Sequence, residues 1–321
     1  MAELVLLKLF YVLVFPGFLF CSAAGLLLAG IDRKIVARMQ KRIGPPILQP
    51  FYDFMKLMGK ETIIPRAAAK KVYLAAPVIG FVSLVVTALF IPVFGFSAFS
   101  GIADLIVILY LLTIPAVAII MGGAASGSPY AGVGISREMV AIMSYELPLI
   151  VVLLTVAKKV SLSLDIGFTF SMADITQYQI AYGSLITKWS MIPAAIAMLL
   201  IIPAEAGSHP FDIAEAETEI CEGPLVEYSG APLGMFKLNH AIKMFIMTAL
   251  FSSLFLGGAG TGIIAVDALL LVLVCACVTV LCMTLIHAVT ARLKVEVLFK
   301  FYWRIVTGLA LLSLILVWIG L

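Results

Sequence analysis

Apolar residues run along this chain in long blocks, and polar residues are confined to the joints between them. A helix needs about 20 apolar residues to cross the hydrocarbon core of a bilayer. Eight such blocks are legible, at 5–30, 72–96, 101–123, 138–158, 189–206, 240–260, 264–288 and 301–321. They contain Pro16, Pro92, Pro115, Pro148, Pro193 and Pro203, which membrane helices tolerate because neighbouring groups re-satisfy the freed backbone. One segment has a different rhythm. After Gly44-Pro45-Pro46, residues Ile47, Leu48, Phe51, Phe54, Met55 and Met58 recur at helical spacing, with Gln49, Asp53, Lys56 and Lys60 on the other side. This predicts an amphipathic helix at about 46–60, too short and polar to span, lying in the interface plane. The pattern as a whole predicts an all-α polytopic membrane protein. It forms a single membrane domain over 1–321, with a cytoplasmic loop at 31–71 and an acidic cytoplasmic loop at 207–239. The first block reads as a retained span and not a cleaved signal peptide, being too long and beginning with Glu3 and Lys8.

Composition strengthens this picture. Of 321 residues, 63% are hydrophobic and 12% charged, against about 25% charged in a soluble domain. Basic residues give the orientation. Arg33, Lys34, Arg38, Lys41, Arg42, Lys56, Lys60, Arg66, Lys70 and Lys71 follow the first block. Arg137, Lys237, Arg292, Lys294 and Lys300 accompany the third, fifth and seventh loops, whereas only Lys158, Lys159 and Lys188 mark the opposite side. Basic loops stay in the cytoplasm. The odd-numbered loops are therefore expected there, with both termini outside a cell membrane. The net charge of +3 reflects this asymmetry and gives no reason to invoke nucleic acid. Of the five cysteines, Cys21, Cys275, Cys277 and Cys282 fall in apolar blocks and read as small buried hydrophobes, with Cys221 outside them. Their spacing suits no iron–sulfur cluster, so neither a cofactor nor a metal is expected in this chain.

Candidate chemistry concentrates in residues 201–230. Glu205, Asp212, Glu215, Glu217, Glu219, Glu222 and Glu227 lie there with no Lys or Arg among them. Ser208 or His209 could cap a helix with Pro210 in its first turn. Such a helix would put Asp212, Glu215, Glu219 and Glu222 on one face. Like charges so placed titrate together; the alternative is a solvated acidic face. Glu146 lies in the middle of the fourth block, where a carboxylate is either a proton-exchanging group or a structural hydrogen bond to a neighbouring helix. Arg137 precedes it at the cytoplasmic start of that block. Lys243 could snorkel to the interface or pair with the acids. His209, His240 and His287 are far apart in sequence and read as packing or capping residues. Asp104 and Asp267 read as helix-start residues.

Three motifs carry a family resemblance that covers nearly the whole chain. The first is Asp32-Arg33-Lys34 with Gln49-Pro50, Asp53, Lys56-Leu57 and Lys60-Glu61. The second is Arg137 with Ser144-Tyr145-Glu146. The third is Ala204-Glu205, Pro210-Phe211-Asp212, Glu215, Glu217, Glu219 and Glu227-Tyr228. The chain resembles the complex I membrane protein that joins the redox arm to the membrane arm (the H subunit in bacteria), and more closely its homologue in membrane-bound nickel–iron hydrogenases. It departs from quinone-reducing members in four places. Gly44-Pro45-Pro46 runs almost directly into Gln49-Pro50; Ser208 stands where an Arg is usual; Asn239-His240 stands where Glu-Tyr is usual. The seventh loop reads Ala291-Arg292-Leu293-Lys294-Val295-Glu296 in place of an Arg-Tyr-Asp-Gln type motif. The resemblance implies a non-redox subunit of a multisubunit oxidoreductase. A nickel–iron site and iron–sulfur clusters would lie in partner hydrogenase subunits, ferredoxin would act only indirectly, and antiporter-like membrane subunits would be neighbours. It implies a proton relay or coupling role for Glu146, Glu205, Asp212, Glu215, Glu217, Glu219, Glu227 and Arg137. It implies subunit docking by Arg33, Lys34, Gln49, Asp53, Lys56, Lys60 and Glu61. A quinone-binding member of the complex I type and a sulfur-reducing relative remain as alternatives.

Overall fold

The computed structural model describes residues 2–94, 96, 103–165, 167–258 and 260–320, without the side chains of residues 2–5 and 7. The ends of the expected spans at 95, 101–102, 259 and 321 lie outside the described residues. The described chain is helical throughout: α1 (Ala2–Leu13), α2 (Phe18–Met39), α3 (Gln49–Met58), α4 (Lys70–Phe90), α5 (Leu105–Ser126), α6 (Pro129–Leu164), α7 (Met172–Tyr182), α8 (Ile192–Glu205), α9 (Glu217–Ile220), α10 (Gly230–Phe251), α11 (Ile264–Thr279), α12 (Leu285–Val289), α13 (Val295–Phe301) and α14 (Thr307–Trp318). Short π-helical turns extend α10 to Leu256 and make α11–α12 and α13–α14 continuous.

Among the described residues, seven helices are long and apolar enough to cross a membrane, and Trp189–Glu205 is a shorter apolar helix. At about 1.5 Å per residue that shorter helix reaches only about 25 Å. It can be short because it is largely enclosed by protein: Ala194, Ala195, Ala197, Met198, Ile201 and Ile202 are all buried. The centre of the bundle is α10, where every residue from Ala241 to Phe255 is buried. Helices α2, α4 and α8 pack around it. Asp104 caps α5, and Asp267 in the first turn of α11 accepts from the Thr261 N–H and hydroxyl at 2.8 Å each.

The odd-numbered connections meet at one end of the bundle. Ala69 N–H donates to Ala125 O, Ile63 N–H to Ser229 Oγ, and Leu293 N–H to Pro210 O. At the other end Asp104 bridges to Ser171, Gln179 donates to Leu254 O, and Tyr11 packs on Phe96. There too Lys158 lies over Trp318, near the end of α14.

Several expectations are corrected. No helix starts at Ser208 or His209. Residues 206–216 follow an irregular path in which Phe211, Ile213, Ala214 and Ala216 are buried, while Asp212 and Glu215 alternate outward between them. Burying those apolar side chains on the bundle outweighs local helix formation, so Asp212, Glu215, Glu219 and Glu222 share no helical face. In the acidic loop only Glu217–Ile220 is α-helical, followed by a 3-10 turn at Gly223–Leu225. The acidic loop ends at Ser229 and not at 239, because Gly230 already opens α10. Asp32, Arg33 and Lys34 belong to α2, which runs to Met39 instead of ending near residue 30. The interfacial helix is Gln49–Met58, shorter than 46–60. Cys21, Cys275 and Cys282 are buried, but Cys277 is exposed on α11, as is Cys221 in the acidic loop.

Candidate coupling site

Two glycines let the backbone close up around the site. A Cβ on Gly30 of α2 would lie 1.9 Å from Ile47 O, so only glycine lets α2 touch the approach to α3. Gly223 has φ +52°, and its Cβ would lie 2.2 Å from Ala214 O. The first contact holds the first connection against α2, and the second folds the fifth connection on itself.

Ion pairs then tie the connections. Arg292 grips Asp212 with two nitrogens, Nε to Oδ1 at 3.1 Å and Nη2 to Oδ2 at 2.7 Å, and Nη1 donates to Thr218. Arg137 Nη1 donates to Glu219 Oε2 at 2.6 Å. Arg33 meets Asp53 at 3.2 Å, and Gln49 Nε2 donates to the same carboxylate at 2.8 Å. The stacked rings of Tyr73 and Tyr228 lie 4.0 Å apart, and their hydroxyls donate to Glu227 O and Tyr73 O respectively.

Between these ties lies a cavity of about 530 Å³. Its lining runs from exposed Lys60, Glu217 and Lys237 to buried Glu205, Asn239 and Lys243. At the buried end Lys243 Nζ lies 2.9 Å from Glu205 Oε1, with the two side chains only 9% and 2% exposed. The second oxygen, Oε2, and Asn239 Oδ1 have no hydrogen-bond partner among the described residues. A buried charge persists where it is paired, and this pair sits on the enclosed helices α8 and α10. Glu146, on α6 and outside the lining, is within electrostatic reach of both Glu205 and Lys243. Higher in the cavity, burial pushes the Glu215 carboxyl up to about 8, with Glu138, Asp212 and Glu222 adding to the rise and Lys237 opposing it. Arg292 is held even more firmly protonated by its bonds to Asp212.

The residues singled out in the sequence divide clearly. Glu205, Asp212, Glu215 and Glu217 line the cavity, as do Arg33, Asp53, Lys56 and Lys60 from the first connection. Glu219 is exposed and paired with Arg137, Glu227 is exposed, and Glu61 is exposed beside Lys60. Lys34 Nζ is spent on Ile43 O. Sequence reasoning passed over Glu138, which lines the cavity with Ala141 and Tyr145. That spacing of three and seven residues marks one helical face, and it was legible. It also treated the histidines as unrelated, whereas His209, His240 and His287 all line this one cavity. Only tertiary packing joins them.

The sequence profile of the NADH dehydrogenase family matches residues 10–318. The chain belongs to this family. It is 30% identical to the H subunit of NADH-quinone oxidoreductase from Neorickettsia sennetsu, over 99% of this chain and 97% of that protein. It is 36% identical to hydrogenase-4 component C of Escherichia coli, over 72% of this chain and 70% of that one. Its fold is similar to a chain of the membrane-bound sulfane sulfur reductase, an archaeal respiratory membrane complex, with a TM-score of 0.87, 30% identity and 98% and 99% coverage. It is thus a multi-pass membrane component of the complex I type found in energy-converting complexes.

Proposed function

We propose that this protein couples a peripheral hydrogenase module to ion movement in the membrane arm of a ferredoxin-dependent complex. The observation that carries the reading is the convergence of Glu138, Glu205, Asp212 and Glu215 on one cavity with Lys243, at the end where the basic loops gather. The basic loops would face the cytoplasm and dock the redox subunits. A change of charge at the docking face would alter the protonation of Glu215 and, through Glu205 and Lys243, of Glu146. This chain's part is to bind and move protons; the redox centres would belong to its partners, and antiporter-like subunits would continue the membrane arm.

The hydrogenase branch is favoured by the likeness to hydrogenase-4 component C and by Ser208, Asn239-His240 and the Ala291–Glu296 sequence. The sulfane sulfur reductase similarity supports a second reading, in which the partner's acceptor is a sulfur compound. The purified complex is expected to evolve hydrogen from reduced ferredoxin. Quinone reduction sensitive to quinone-site ligands, or turnover with polysulfide alone, would overturn the hydrogenase reading. Glu146→Gln and Glu215→Gln complexes, reconstituted in vesicles, are expected to assemble and to lose coupled ion uptake. Full uptake in both would end the coupling role.

A further inference from the structure

We propose that His209 and His287 form one proton-binding site in the wall of the cavity, exchanging a single proton with its carboxylates. The two imidazole rings are stacked, with centroids 4.8 Å apart and planes 23° from parallel. His209 comes from the irregular segment after α8 and His287 from α12, so the stack joins two elements 78 positions apart in the chain. His209 Nδ1 is buried and has no hydrogen-bond partner among the described residues. His287 Nδ1 lies 3.5 Å from Asp32 Oδ2. The other oxygen of Asp32 accepts the Thr284 hydroxyl at 2.7 Å, which fixes the carboxylate towards the ring. An imidazole with an oriented carboxylate on one nitrogen is a proton carrier.

The surroundings limit the pair to one charge. Two imidazolium rings at this separation repel each other, so the stack favours a single charge. Asp212 would be a second counter-charge, but both its oxygens are held by Arg292. Burial lowers the proton affinity of His209; Asp212 opposes that, and His287 and Arg292 add to it. Asp32, 3.5 Å from His287 Nδ1, is the carboxylate placed to balance a charge on the pair. Arg33 from α2, Glu138 from α6, Glu205 from α8, His240 and Lys243 from α10 and Glu215 from the acidic segment are further titratable or charged groups that line the same cavity. A proton leaving the imidazolium for one of these carboxylates gives a neutral histidine and a carboxylic acid, and no other reactant is needed.

The inference rests on the coupling role proposed above, and the test separates the two. The intact complex, reconstituted in vesicles, is assayed for ions moved per electron pair between about pH 5.5 and 7.5, where imidazoles titrate. The unmodified complex is expected to show a bend in this ratio. His287→Gln and His209→Gln should each remove the bend and lower the ratio several-fold, and the double variant should lose no more than either single one. If His287→Gln fails to assemble, His209→Phe, which keeps a stacked ring, carries the test. Variants that retain the bend and the ratio overturn the proton site. Glu146→Gln and Glu215→Gln are run in parallel: normal pumping in both, with the histidine variants impaired, would sink the acid row and leave the histidine site standing.

Discussion

Glu215 sits between buried Ala214 and Ala216 with three other carboxylates close enough to raise its proton affinity. Its ordinary value of 4.5 rises to about 8, so the folded protein keeps a proton that the unfolded chain has released. Below about 4.5 both states are protonated and the group contributes equally to each. As pH rises from there towards about 8, the unfolded state gains the advantage of the free carboxylate and stability falls. Glu215→Gln is neutral at every pH and is expected to flatten this fall, read as the thermal midpoint of the complex across that window. An equally steep loss in the variant would show that Glu215 is ionised in the folded protein. The abundance of acid around this position was visible in the sequence. Its protonation depends first on burial and then on Glu138 from α6, which only folding supplies.

At the scale of elements, α10 carries most of the site's constraint. It is enclosed from Ala241 to Phe255 and still presents Lys243 to Glu205 of α8 at 2.9 Å. Removing one member of a buried pair strands the other and typically costs about 3–5 kcal/mol. Lys243→Met is therefore expected to lower the unfolding midpoint of the complex sharply, and Lys243→Met with Glu205→Met to recover most of the loss. A single variant as stable as the parent would mean that water, not Lys243, carries the Glu205 charge. Helix α6 shows how far periodicity reaches. Glu138, Ala141 and Tyr145 share a face by their spacing, so their common cavity could be read from the chain. The segment after α8 shows the opposite. Its acids have helical spacing, but Pro210 and the burial of Phe211 and Ile213 impose another path.

For the whole molecule, the alternation of eight apolar segments puts the basic connections together at one end and the described parts of both terminal helices at the other. This arrangement makes a labelling prediction. Single cysteines at Ile63 and at Trp318, in a background without exposed native thiols, should react with an impermeant reagent from opposite sides of sealed membranes. The positive-inside rule predicts Ile63 on the cytoplasmic side. Labelling of both from one face would overturn the topology and, with it, the docking of redox subunits on the basic loops.

Length and hydropathy alone determined the helical class, the number of apolar segments and the side on which charge accumulates, because a bilayer constrains each segment independently of the others. The family motifs and most of the acid row were also legible, since residue identity survives without coordinates. What folding decided was pairing. Lys243 with Glu205, Arg292 with Asp212, Arg137 with Glu219, and His209 with His287 are each separated by tens of residues, and no local period connects them. Their partners follow from how α2, α6, α8, α10 and α12 close around one cavity, and low dielectric there makes each pairing consequential.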